Sequence, residues 1–257
     1  MRLRVACLAA VLAAAACSPE PETEPAETPA TGAEAPAAKR MPLPDCGEVE
    51  AQDVGADGWK HPDCRLMLPD QSGLAIEARY TPAEDESTQL IVQVVAPGDA
   101  TLQELVERMG NTFNSPSVKD VDGDGKADIL LPLETGNVNT TWAFWRQIDG
   151  QAFVRVGEPN GVSILKTDSG YIAVQGRSSA AEYFVDFYKL EGDDLKPVVT
   201  ARVAAQSEED GKVTSVDCLL DDAGGLASTG LSADAARQQF CAEPYVDGLV
   251  KDLSPAE

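Results

Sequence analysis

Four aspartates fall within nine residues at Asp120-Val121-Asp122-Gly123-Asp124-Gly125-Lys126-Ala127-Asp128. Carboxylates at alternate positions of a tight loop can converge on one hard cation, and calcium takes roughly six to eight oxygens. Gly125 permits the sharp turn, Lys126 would offer its backbone carbonyl, and Asp128 closes the set. The expected metal ligands are therefore Asp120, Asp122, Asp124, Lys126 and Asp128, with Ca2+ as the cofactor. Without a cation these carboxylates would repel one another. Other chemistry-bearing residues are sparse. The single histidine, His61, stands beside Pro62 and near Cys64 with no motif around it. A catalytic triad, a metallohydrolase site or a histidine acid–base pair therefore lacks its parts. Acidic residues are too plentiful for spacing to nominate a glycosidase pair, and the chain is not expected to be an enzyme.

The cysteines indicate an oxidising compartment. The N-terminus MRLRVACLAAVLAAAAC carries two arginines, a short apolar run and small residues ending at Cys17. That is the pattern of an export signal, too short to span a bilayer. Residues 1–16 are read as a signal peptide. LAAAAC resembles a lipobox, with Ala14 where leucine is usual, so Cys17 is the expected lipidation site; an ordinary A-x-A cleavage signal is the alternative. Ser18 after Cys17 is similar to lipoproteins sorted to the outer membrane. The expected location is thus periplasm-facing, with the lipid as the only membrane contact. Residues 17–40 are rich in Pro, Glu, Thr and Ala without aromatic or large aliphatic side chains, the composition of a disordered tether.

Residues 41–257 are read as a single domain. Removal of residues 1–16 leaves 18 Lys and Arg against 43 Asp and Glu, a net charge of −25. Such acidity argues against nucleic-acid binding and suits attraction to a basic partner. Within this span Cys46, Cys64, Cys218 and Cys241 are expected to form two disulfides, with three connectivities open. Easy closure of short loops favours Cys46–Cys64 and Cys218–Cys241. The crossed arrangement would tie the two ends of the domain together.

The elements that must position these residues read mostly as strands: 74–80, 89–95, 127–133, 140–148, 151–157, 171–177, 181–190 and 197–203. They are rich in β-branched or aromatic residues and bounded by turn pairs such as Pro97-Gly98, Asp149-Gly150 and Gly192-Asp193. Two helices are predicted. Thr101–Met109 would place Leu102, Leu105, Val106 and Met109 on one face, with Thr101 and Glu104 as a capping box and Gly110 as the stop. Ser232–Phe240 is the second. The expected fold is mostly β, a small β-propeller-like domain with one or two short helices, or alternatively a β-sandwich.

The first nine loop positions match an EF-hand, but position twelve is Leu131 and a strand-like run follows where that motif has a helix. The loop and strand resemble instead the calcium loops of integrin-type (FG-GAP or VCBS) β-propeller repeats. From Val118 to Val203 the chain resembles bacterial periplasmic lipoproteins with a single such loop in a small propeller. The shared segments are DVDGDGKADILL, the aromatic run TTWAFWRQIDGQAFVRV and SGYIAVQGRSSAAEYFVDFYKLEGDDLKPV. The family's Arg-Gly-Gly turn is here Arg177-Ser178-Ser179. The resemblance implies a protein-binding module, similar to lysozyme inhibitors and to an immunity protein against a peptidoglycan-cutting effector. Its partner would be a basic cell-wall hydrolase, met through Ser169, Gly170 and Tyr171. An ordinary turn leading to a core tyrosine competes with that reading. A structural envelope lipoprotein, with calcium serving stability alone, is the other function considered.

Overall fold

Alternating and continuous apolar runs account for most of the architecture. The computed structural model of the chain describes residues 42–83, 87–209 and 211–254, all within one contact unit, Pro42–Glu257. The expected signal peptide, lipidation site Cys17 and tether lie outside the described residues. A two-stranded ribbon joins β1 (Gln52–Asp53) and β2 (Trp59–Lys60). A first sheet runs in sequence order through β3 (Cys64–Met67), β4 (Ala75–Pro82), β5 (Thr88–Val95) and β6 (Thr101–Met109). The second comprises β7 (Ser117–Lys119), β8 (Asp128–Thr135), β9 (Thr140–Gln147) and β10 (Phe153–Gly157), with the short β11 (Asn160–Gly161) also on β9. The third contains β12 (Ser163–Lys166), β13 (Ile172–Ser179), β14 (Glu182–Glu191), β15 (Asp194–Ser207) and β16 (Val213–Asp222). Every named pairing is antiparallel. The fold is mostly β, built of consecutive meanders, and no sheet among the described residues closes into a barrel.

The cores give the layering. Leu90, Val92, Leu105 and Met109 of the first sheet share a cluster with Ile129, Leu131, Ala143 and Phe153 of the second. Leu130 and Phe144 of the second meet Ile164, Ile172 and Val174 of the third. The run Asp128–Pro132 is therefore buried on both faces, which explains why it is continuously apolar after Asp128 and does not alternate. Val185, Phe187, Val199 and Ala201 of the third sheet pack against Phe240 and Val246. These last belong to α1 (Ala233–Cys241) and α2 (Pro244–Leu253). The Ser232 hydroxyl caps α1 by accepting from the Ala235 amide, so the Ser232–Phe240 helix is found within a residue at each end.

The helix expected over Thr101–Met109 is instead β6, paired along its length with β5. Its inward residues are Gln103, Leu105, Glu107 and Met109, while Leu102 and Val106 are exposed. The period is two, but it was obscured because two of the four inward positions are polar. The Gln103 side chain donates to the Phe153 carbonyl at 2.8 Å and accepts from its amide at 2.8 Å. Glu107 accepts from Trp145 Nε1 at 2.8 Å and Arg155 Nε at 2.7 Å. Polar side chains face the core here because the second sheet supplies their partners. The disulfides are Cys46–Cys64 and Cys218–Cys241, the local pairing; the second ties α1 to β16.

Candidate metal centre

The aspartate loop connects β7 to β8, and its side chains fold it. Asp120 accepts from the amides of Gly123 (2.5 Å) and Gly125 (3.1 Å). Asp122 Oδ1 accepts from the Asp124 amide at 3.1 Å, and Asp124 Oδ1 from the Lys126 amide at 2.9 Å. These are the local turns that aspartate forms readily with the backbone just ahead of it. Gly123 and Gly125 sit at φ +72° and +88°, a region that a side chain strains. Lys166 from β12 lies against Gly123, and the end of that flexible side chain would have to shift for a Cβ there. The Lys166 ammonium donates to the Gly123 carbonyl at 3.1 Å.

Ligand atoms of Asp120, Asp122 and Asp124 lie within 4.8 Å of one another. Three carboxylates converging at that spacing form a donor set that fits a hard divalent cation. Asp128 plays a different part. It is fully buried, and its two oxygens accept from the amides of Val121 and Gln147, both at 2.9 Å. It thereby joins the loop's start to the end of β9. Burial pushes its carboxyl up to about 7; the two amides oppose that rise and Asp122 and Asp124 add to it. The Lys126 side chain pairs with Asp124 at 3.6 Å.

Three residues beyond the motif complete the site. Arg146 on β9 donates through Nε to Asp122 Oδ2 at 2.5 Å and through Nη2 to Asp124 Oδ2 at 3.4 Å. Burial would lower its pKa, but the hydrogen bond it donates to Asp122 and the charges of Asp122, Asp124 and Asp128 raise it. Asp70, between β3 and β4, accepts from the Ala127 amide at 3.1 Å. Burial would raise its carboxyl, yet hydrogen bonds from Ser72 and Ala127 hold it below the ordinary value. Lys166 is the third. The loop is thus held by Asp70 near the first sheet, Arg146 of the second and Lys166 of the third. Nothing in the spacing of the aspartates marks any of these residues; Arg146 lies in an aromatic strand segment and the others are distant in sequence.

The structure does not place Ser169, Gly170 and Tyr171 with this centre. They form the turn between β12 and β13, with Gly170 at φ +85°. The Ser169 hydroxyl donates to Glu243, and the Tyr171 ring meets Phe240 edge-on at a centroid distance of 5.0 Å. The turn is tied to the C-terminal helices. His61 is buried, with Nε2 2.8 Å from the Thr112 carbonyl and its ring stacked on Tyr80 at 4.8 Å. Burial lowers its pKa despite that hydrogen bond.

No protein-family model matches the chain, and no curated protein matches it in sequence. Among solved structures, a Xanthomonas type IV secretion system related protein is similar at a TM-score of 0.35 and 10% identity. The match covers 64% of this chain and 97% of that one, a likeness too distant to bear on function.

Proposed function

We propose that the chain is an exported calcium-binding lipoprotein whose folded domain serves as a protein-binding module. The observation that carries this reading is the convergence of Asp120, Asp122 and Asp124 within 4.8 Å in a loop braced by Asp70, Arg146 and Lys166. A cation of high charge and flexible coordination suits an all-oxygen loop of this kind, and calcium suits it better than magnesium, which demands near-ideal octahedral geometry. Bound calcium would neutralise the aspartates and so stiffen the meeting place of the three sheets. Each meander has the strand order of a propeller blade, which supports the propeller-like reading; the stacking of sheets through shared cores supports the sandwich.

The proposed partner is a basic, lysozyme-like cell-wall hydrolase, supported by the net charge of −23 and the resemblance noted above. A structural envelope role is the second reading, favoured by a specific observation. Ser169 and Tyr171 are engaged within the fold, on Glu243 and Phe240, so the turn is held against the C-terminal helices. The test is calorimetric titration of the chelator-treated chain with calcium, alongside Asp122→Ala and Asp124→Ala. Binding by wild type that both variants lose supports the metal site; heat-free titrations of all three remove it. The loaded protein is then titrated against a lysozyme at low and high salt. Salt-sensitive binding with inhibition favours the module, and no binding at either salt favours the structural role.

A further inference from the structure

The loop's own amides use Oδ1 of Asp122 and Oδ1 of Asp124, and no loop amide takes either Oδ2. Arg146 takes both, Asp122 Oδ2 through Nε and Asp124 Oδ2 through Nη2, the latter shared with the looser and more exposed Lys126 ammonium at 3.6 Å. Arg146 is not a loose surface side chain. It projects from β9, next to Gln147, whose amide anchors Asp128 of the same loop. Its side chain is 25% exposed and that of Asp122 only 8%, so the pair is largely shielded from solvent. Arginine is always protonated and presents its donors as a fixed fork, so the guanidinium keeps its charge on these carboxylates. A divalent ion entering the loop needs the same oxygens.

Resting on the calcium reading, we infer that Arg146 is a tethered cation that calcium must displace, so that exchange between guanidinium and metal sets the affinity of the site. In the metal-free chain Arg146 offsets the repulsion among the aspartates and keeps the loop folded. On binding, two positive charges replace one, and the guanidinium moves out toward solvent or a partner's acidic group. The device weakens the site relative to an unplugged loop. It therefore makes occupancy respond to the surrounding calcium concentration and not remain permanently full. Lys166 does not play this part, since its ammonium rests on a backbone carbonyl and not on a carboxylate.

The experiment is calorimetric calcium titration of the chelator-treated full chain as wild type, Arg146→Gln and Arg146→Lys, each also melted with and without calcium. Arg146→Gln should bind about tenfold more tightly, the size expected if one partly shielded ion pair no longer competes. Its metal-free form should melt lower than metal-free wild type, and the rise on adding calcium should be larger. Arg146→Lys, which keeps the charge but loses the fork, should fall between the two. Equal or weaker binding by Arg146→Gln overturns the inference while leaving the calcium site intact, because Arg146 would then be orienting the carboxylates. Binding by Arg146→Gln when wild type shows none supports it most directly. Absence of binding in all three chains defeats the calcium reading itself, and the inference with it.

Discussion

Val106 and Glu107 stand side by side on β6, and they distinguish a strand from a helix there. Glu107 is 9% exposed and accepts from Trp145 Nε1 and Arg155 Nε across the gap between the first two sheets. Val106 is 46% exposed. Hydrogen bonds involving a charged group contribute about 1.5–3 kcal/mol each. Three are lost in Glu107→Ala, one from the indole and two from Arg155, the second of these long at 3.4 Å; Arg155 is a third exposed and keeps Glu158 at 2.5 Å, so its share is discounted for solvent. The expected cost is about 3 kcal/mol, with roughly half of that for Glu107→Gln, which retains an acceptor for the indole. In a domain of this size, where each kcal/mol moves Tm by roughly 2–4 °C, Glu107→Ala should melt about 6–12 °C lower. Val106→Lys should stay within about 0.5 kcal/mol of wild type, as surface changes do. A helix with Leu102, Leu105, Val106 and Met109 inward requires the reverse ranking. Thermal and denaturant unfolding of the three variants, followed by Trp145 emission and circular dichroism, decides between them. A costly Val106→Lys beside a silent Glu107→Ala would refute the strand and the cross-sheet bridge built on it.

Two further outcomes are expected. Replacing Cys218 and Cys241 together by serine opens a loop closed across 23 residues and frees α1 from β16, at a cost of about 3 kcal/mol by loop entropy; denaturant midpoints of wild type and the double variant should differ when oxidised and coincide when both are reduced, since Cys46–Cys64 is then open in each. His61 has a folded pKa held below 6.5 by burial. A depressed histidine pKa means that the unfolded chain takes up the proton first. Its stabilising contribution is therefore complete above 6.5 and diminishes as pH falls from 6.5 toward the folded value. The stability difference between wild type and His61→Gln, measured from pH 8 to 5, should shrink in that direction; a flat difference would mean that the ring is not buried as a neutral imidazole.

Several features were legible in the sequence because a single local pattern determined each. The eight predicted strands all correspond to observed ones, since β-branched and aromatic runs between Gly and Asp turns leave little choice. Asp149-Gly150 does join β9 to β10, with Gly150 at φ +66°. Helix α1 lies where the Ser232–Phe240 span is expected, and the structure adds its cap, the Ser232 hydroxyl accepting from the Ala235 amide. The local disulfides follow from short loop closure. What stayed hidden depended on partners far along the chain. Glu107 broke the alternation of β6 because its reason for facing inward, Trp145 and Arg155, lies 38 and 48 residues away. The strand β16 was missed for a related cause: Asp217, Asp221 and Asp222 leave its apolar residues without a clear run, and its pairing with β15 compensates.

The metal loop divides along the same line. Its convergent aspartates are a local property, visible in a nine-residue spacing, whereas its affinity is a property of the surroundings. Asp70, Arg146 and Lys166 come from three separate segments and reach an amide, two carboxylates and a carbonyl of the loop respectively. Their charges oppose each other: Asp70 adds a negative group near a site already crowded with them, while Arg146 and Lys166 bring two positive ones. An isolated peptide of residues 120–128 would have the ligands but neither the bracing by Asp70 and Lys166 nor the guanidinium of Arg146 on its carboxylates. It should therefore report the intrinsic preference of the spacing and not the affinity of the protein, and the difference between the two measures what the three sheets contribute to the site.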